Sequence, residues 1–354
     1  MLSRRHFLAA AAATTIPAPS WAEAGAPAFL AAAKRPDGTY ALCGLTGDGA
    51  IAFRVPLQER GHAAAAHPAR PVAVAFARRP GRFGLVLDCL TGAVTHRLEP
   101  PADRHFYGHG AYLDDGRILV TTENAFETGA GRLGLWDAAQ GYRRIGDMPS
   151  GGIGPHEVIR LPGTETLAVA NGGIRTHPDS EREKLNLDTM RPNLSYVRDG
   201  AVVESVELPP DLRPASIRHI AARGDGLLAM ALQWEGDPAR IVPLLATHRR
   251  GATPRTHAAD DAAQAVLQGY AGSIALSGDG TEIAVTGPRG GVAHVYPADG
   301  TGPPRIVHRP DICGAAPAGG GLAFTDGLGG VLHPGGATRH DVAWDNHLVA
   351  IGSA

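Results

Sequence analysis

Seven positions carry the strongest chemical signal in this chain: His62, His109, His156, His219, Ser273, Cys313 and His347. Each is the first residue of an internal repeat unit. Five are histidine, and with 16 histidines in 354 residues random placement would put well under one at seven chosen positions. Imidazole and thiol groups brought to one place are ligands for a late first-row transition metal. The sequence reading therefore takes His62, His109, His156, His219, Cys313 and His347 as a metal site, with Fe or Cu preferred to Zn.

The repeat that supplies these residues also says what positions them. From His109 the chain reads as a short strand, a turn at Gly116 and a second strand. A glycine stands seven positions after the first residue again at Gly163, Gly226, Gly280 and Gly320, while the unit at His62 replaces that turn with Pro68 to Pro71. Two further strand-like runs follow each phrase, and four short strands per unit is a propeller blade. The N-terminal segment offers only three strands, near 29–33, 40–45 and 50–57, and the run from His347 to Ile351 supplies the fourth. The predicted fold is all-β: a seven-bladed β-propeller over residues 23–354, its first blade closed by the C-terminal strand. Closure of that kind removes the exposed sheet edge.

In a propeller the first strand of every blade lines the central channel, so residues at the heads of those strands face one another. A rival reading is that each histidine caps an inter-blade loop by bonding a neighbouring carbonyl. The varied residues that precede them, Gly61, Gly108, Pro155, Arg218 and Asn346, do not suggest one shared local turn. Beside the ring stand Arg104, His105, Glu157 and Arg218 as weaker cofactor-binding candidates. The arginines suit an anion, and Glu123 or Glu157 suits a metal shell or a base. The long polar stretch 171–193 reads either as a lid, with Arg175, His177 and Arg191 reaching inward, or as a solvated insert with no role. No residue is assigned a catalytic role. A phosphate loop, a nucleophile elbow and a Cys-x-x-Cys-His haem motif are all missing.

Residues 1–22 read as a twin-arginine signal peptide: Arg4-Arg5, an apolar run to Ile16, and the small-residue site Ser20-Trp21-Ala22. The apolar run is far below the ~20 residues that span a bilayer. Loss of Arg4 and Arg5 leaves 31 basic against 35 acidic side chains, an unsuitable balance for nucleic acid. The expectation is a periplasmic monomer, exported folded, with no membrane span. Cys43 and Cys89 sit in apolar strand-like runs and read as buried thiols.

Several phrases carry a family resemblance. They are Arg-His-Phe-Tyr-Gly-His-Gly at 104–110, Gly-Gly-Ile-Gly-Pro-His-Glu at 151–157, Ala-Asn-Gly-Gly-Ile at 170–174, Lys-Leu-Asn-Leu-Asp-Thr-Met-Arg-Pro-Asn at 184–193, Ser-Ile-Arg-His at 216–219 and Trp-Asp-Asn-His at 344–347. Together they resemble the exported family called domain of unknown function 1513, over nearly the whole mature chain. That resemblance implies a propeller of the YVTN and quinoprotein type, encoded beside imelysin-type and di-haem redox periplasmic proteins in iron-uptake settings. It assigns no residue a role. Three functions are carried forward: metal binding in iron or copper handling with such partners, a metal-dependent enzyme (a lactonase-like hydrolase or an oxidoreductase), and a protein-interaction scaffold.

Overall fold

The structure, a computed structural model, describes residues 19–78, 82–180 and 183–352. Apart from one short α-helix, Asp261–Val266, and four 3-10 turns, those residues are strand and loop. The strands form seven four-stranded antiparallel sheets, the predicted seven blades. Six are continuous in sequence, with innermost strands Gly61–Ala66, Arg104–Leu113, Pro155–Arg160, Ala215–Ala222, Ser273–Leu276 and Ile312–Ala318. The seventh joins Phe29–Lys34, Tyr40–Leu45 and Ile51–Leu57 to the C-terminal strand Ala343–Ala350. There Leu30 pairs with Val349 and Ala33 with Trp344, so the C-terminal strand is the innermost one of that blade, as expected.

Side-chain size explains the stacking of the blades. Middle strands alternate small and large apolar residues, as in Val72–Ala77, where Ala73, Val74, Ala75, Phe76 and Ala77 are all buried. Both faces of a middle strand pack on neighbouring blades, so its whole length is apolar. The outermost strand Ala201–Glu207 instead alternates exposed and half-buried positions along AVVESVE, the pattern of a solvent-facing edge. Between blades, Phe76 meets Phe106 edge-on at 5.8 Å. Innermost strands are lined by small residues such as Ala63, Ala64, Ala315 and Ala316, which keep the axial channel open.

Residues 1–18, the charged and apolar parts of the predicted signal, lie outside the described residues. Ser20 to Ala22 lie within them. Trp21 is buried among Leu30, Leu42 and Leu87, and its indole Nε1 donates to the His67 carbonyl at 2.9 Å.

The blade beginning at Arg104 holds a buried ionic network. The Glu123 carboxylate has no solvent exposure; it accepts from Arg144 at 2.6 and 3.0 Å and from Arg104 at 3.2 Å. Arg104 also reaches Asp147 at 3.0 Å, and Arg132 pairs with the same Asp147. Arg104, read from sequence as a candidate for binding an anion at the ring, is committed to its own blade. Removing Glu123 would take from Arg104 and Arg144 the fully buried carboxylate they share and leave them Asp147 alone, which makes the network costly to break. Urea unfolding of Glu123→Ala should show a loss of about 3 kcal/mol, and Glu123→Gln, which keeps an acceptor, a smaller one.

Candidate metal centre

The ring histidines reach the axis because their strands are irregular there. A register shift flanks His62 between Gly61 and Ala64, and another flanks His109 between Phe106 and Gly110. Others fall at Pro155/Glu157, at Ile217/His219, and between Leu348 and Trp344 on the C-terminal strand. A bulge breaks the alternation of faces and re-aims a side chain. Here it turns each imidazole from the blade interface into the channel. The strand that starts at Ser273 pairs without a shift, and it is the one that contributes a serine. Gly108 serves the same end: its φ of +98° suits glycine, and a Cβ there would lie 2.6 Å from His62 Cδ2.

Five histidines meet as a result. The ring nitrogens of His62, His109 and His156 lie within 4.8 Å of one another, as do those of His109, His219 and His347. Four of the five are buried, and His62 is partly so. Three have their Nδ1 hydrogen directed by an acceptor. His156 donates to the Arg218 carbonyl of the next blade at 3.0 Å. His109 and His219 share Glu157, at 3.4 Å from Oε1 and 3.3 Å from Oε2 respectively. Glu157 is held in turn by the Ile220 amide, which donates at 2.8 Å. Because the partners are acceptors, Nδ1 carries the hydrogen and Nε2 presents its lone pair to the axis, the tautomer that metal ligation requires. His109 Nε2, His347 Nε2 and His62 Nδ1 are buried with no hydrogen-bond partner among the described residues.

Burial holds His62, His156 and His347 well below the ordinary histidine range, reinforced by neighbouring rings and arginines. Burial also lowers His219, with Glu157 opposing it. Glu157 is penalised by burial, yet the hydrogen bonds from His109 and His219 prevail and keep its carboxyl below the usual range. Burial thus favours the neutral imidazole at His62, His156, His219 and His347, beside one carboxylate.

Cys313 does not join them. Its Sγ lies 3.5 Å from the Thr325 and Asp345 carbonyls, within an apolar cluster with Trp344 and Leu348, and burial pushes its thiol up to about 12. His105 stacks on Phe126 at 6.1 Å. Arg218 lines a small pocket against His62, His156 and His219. The loop-capping alternative describes His156 alone among the five. In the 171–193 segment Arg175 donates to the Glu127 carbonyl at 2.8 Å and Arg191 pairs with Glu207 at 2.7 Å. His177 packs on Phe126. None of the three reaches inward; Ile174, Thr176 and Lys184 are the segment's residues that line a pocket beside Arg218. Glu157, a sequence candidate for the metal shell or a base, stands beside the ring, but its role as an acceptor shared by His109 and His219 was not visible in the sequence.

The family model for the protein of unknown function DUF1513 matches residues 55–351. The chain belongs to that family. No curated protein matches it. Among solved structures it is similar to hydrazine synthase of Kuenenia stuttgartiensis, with a TM-score of 0.61 and 10% identity, over 85% of this chain and 89% of that one. At that identity the likeness concerns the fold. No helix among the described residues is long and apolar enough to cross a membrane.

Neutral rings in the folded state set a pH dependence for the metal-free protein. The unfolded chain takes up protons near the ordinary histidine value of about 6.5, whereas the folded ring resists them. Stability should thus be complete above about pH 7 and fall on acidification below about 6.5, by about 1.4 kcal/mol per pH unit for each ring histidine that stays neutral. Thermal melts from pH 8 to pH 5 check this, and the fall should be shallower in His347→Phe.

Proposed function

We propose that this propeller holds one transition-metal ion at the five-histidine cluster and serves in iron or copper handling outside the cytoplasmic membrane. The observation that carries the reading is the set of buried, unpartnered ring nitrogens on His62, His109 and His347, beside three rings whose Nδ1 hydrogens are directed away from the axis. A buried nitrogen without a partner costs about 1–3 kcal/mol, and an ion bound among His62, His109 and His156, or among His109, His219 and His347, would satisfy two of them. An all-imidazole donor set suits Fe, Cu, Ni or Zn. More than four donors favour Fe or Cu over tetrahedral Zn. In this reading Glu157 is the acceptor that orients and enriches His109 and His219.

Export by the twin-arginine route fits a site that exists only after seven blades have closed, because that route carries a folded chain. The family resemblance supports iron uptake as the setting, with an imelysin-type carrier or a di-haem redox protein as partner. A second reading is a metal-dependent enzyme, an oxidoreductase or a hydrolase. It is favoured by a channel pocket of about 470 Å³ whose walls include His109, Glu157, His219 and His347, a volume that accepts an organic molecule.

Elemental analysis of protein isolated from the periplasm should give one Fe or Cu per chain. His109→Ala should retain less than a tenth of that metal, Glu157→Gln should weaken affinity about 10–100-fold, and Cys313→Ser should leave it unchanged. Absence of metal in the native protein, with none taken up from Fe(II), Cu(II) or Zn(II), would overturn the reading.

A further inference from the structure

The five rings are not a random cluster. His62, His156, His219 and His347 form a closed cycle, with successive ring centroids 6.0, 4.7, 4.7 and 4.6 Å apart. The cross-cycle pairs, His62 with His219 and His156 with His347, are not in ring contact. His109 contacts every member of the cycle, at 5.1, 5.1, 5.5 and 4.8 Å. Four corners and one cap make a square pyramid. Imidazoles bound at about 2.1 Å place neighbouring centroids at right angles roughly 4.5 Å apart; the contacts among His62, His347, His219 and His156 at 4.6, 4.7 and 4.7 Å and that of His109 with His347 at 4.8 Å are near this, and the others are wider.

The two sides of the square differ. His109 lines the wide channel pocket, together with His219 and His347. On the other side His62, His156 and His219 line a separate pocket of about 100 Å³ that His109 does not touch. The vacant corner opposite the cap therefore points into the small pocket. Two arginines, Arg78 and Arg218, lie in its walls with Gln233 and Asn346. Both share that small pocket with His62, His156 and His219, and the Arg218 carbonyl accepts from His156 Nδ1 at 3.0 Å. Arg78 is partly balanced by Asp345 at 3.3 Å, an aspartate also bound by Arg60 at 2.6 Å. Glu157 is hydrogen-bonded to the cap and lines the far side.

Resting on the metal-centre reading, we propose that the sixth coordination position is an exogenous-ligand site for a small inorganic anion of two or three heavy atoms, held between the ion and the Arg78 and Arg218 side chains. Five neutral imidazoles leave the charge of a divalent ion uncompensated on this side, and two guanidinium groups reinforce the preference for an anion. The pocket is far below the 300–1,000 Å³ of organic-ligand sites, which sets the size class.

The test loads the full chain with Co(II), whose five-coordinate visible bands weaken when a sixth ligand binds, and titrates azide. The expected result is a saturable loss of band intensity at one azide per cobalt. Arg78→Gln and Arg218→Gln should each raise the azide dissociation constant at least tenfold with cobalt content unchanged, and Arg78→Lys should restore most of the affinity. Circular dichroism identifies any variant that misfolds, and either arginine alone then decides. If cobalt binds and azide leaves the spectrum unchanged, or binds equally well in the folded arginine variants, the anion site is wrong and the metal centre stands. If native protein takes up no cobalt, the metal centre fails and the anion site with it.

Discussion

Closure of the ring is the constraint on which the rest of this structure depends. The C-terminal strand Ala343–Ala350 pairs with Phe29–Lys34, and by doing so it brings His347 beside His62, two residues 285 positions apart whose rings end 4.6 Å from each other. Before closure there is no site, only imidazoles on separate sheets. After closure five rings share one small volume from which water is largely excluded. The apolar packing between blades supplies the driving force, and the axis is where that force brings polar groups together. Desolvation makes charged imidazole unfavourable at His62, His156, His219 and His347, so folding itself favours their neutral, ligand-competent form.

Local geometry converts that convergence into a shaped site. A regular strand would alternate its side chains between the two neighbouring blades and leave only backbone facing the axis. The bulges at His62, His109, His156, His219 and His347 break that alternation where a ligand is wanted. Their cost in lost pairing is confined to the innermost edges, which have no further strand to hold. The same site shows why Glu157 matters although it is one residue from His156. The bulge between Pro155 and Glu157 lets two adjacent side chains both reach the ring. His156 turns toward the Arg218 carbonyl while Glu157 turns to His109 and His219, so one bulge supplies both a ring and the carboxylate that orients two others.

The repeat made the fold and the histidine convergence legible in the sequence, because a fixed glycine offset identifies equivalent positions without any knowledge of contacts. Side-chain direction at those positions was not legible. Cys313 occupies the same place in its unit as the histidines, and its strand is also irregular, between Ile312 and Ala315. Its thiol nevertheless turns into the interface with the C-terminal strand, toward the Asp345 carbonyl. A slip of one residue exchanges faces on a strand, and sequence spacing cannot register it. Arg104 and His105 failed to join the ring for a different reason. They precede His109 by five and four residues on a long innermost strand, so they lie about 13–17 Å further along it at 3.3 Å per residue, among partners of their own blade.

The architecture also bears on how an ion would be used. A carrier must release its cargo, and release is fast when few donors hold the ion and solvent can replace them in turn. Here five donors come from five different blades, each fixed by strand pairing and three oriented through Nδ1. Letting an ion go would require several of these rings to leave the axis against the packing of whole sheets. Pre-organisation of that kind favours a resident ion that meets its reactants in place. The two pockets fit this, since they approach the cluster from opposite sides and of the five rings His219 alone lines both. An ion held by the ring would thus stay in place rather than be carried and released.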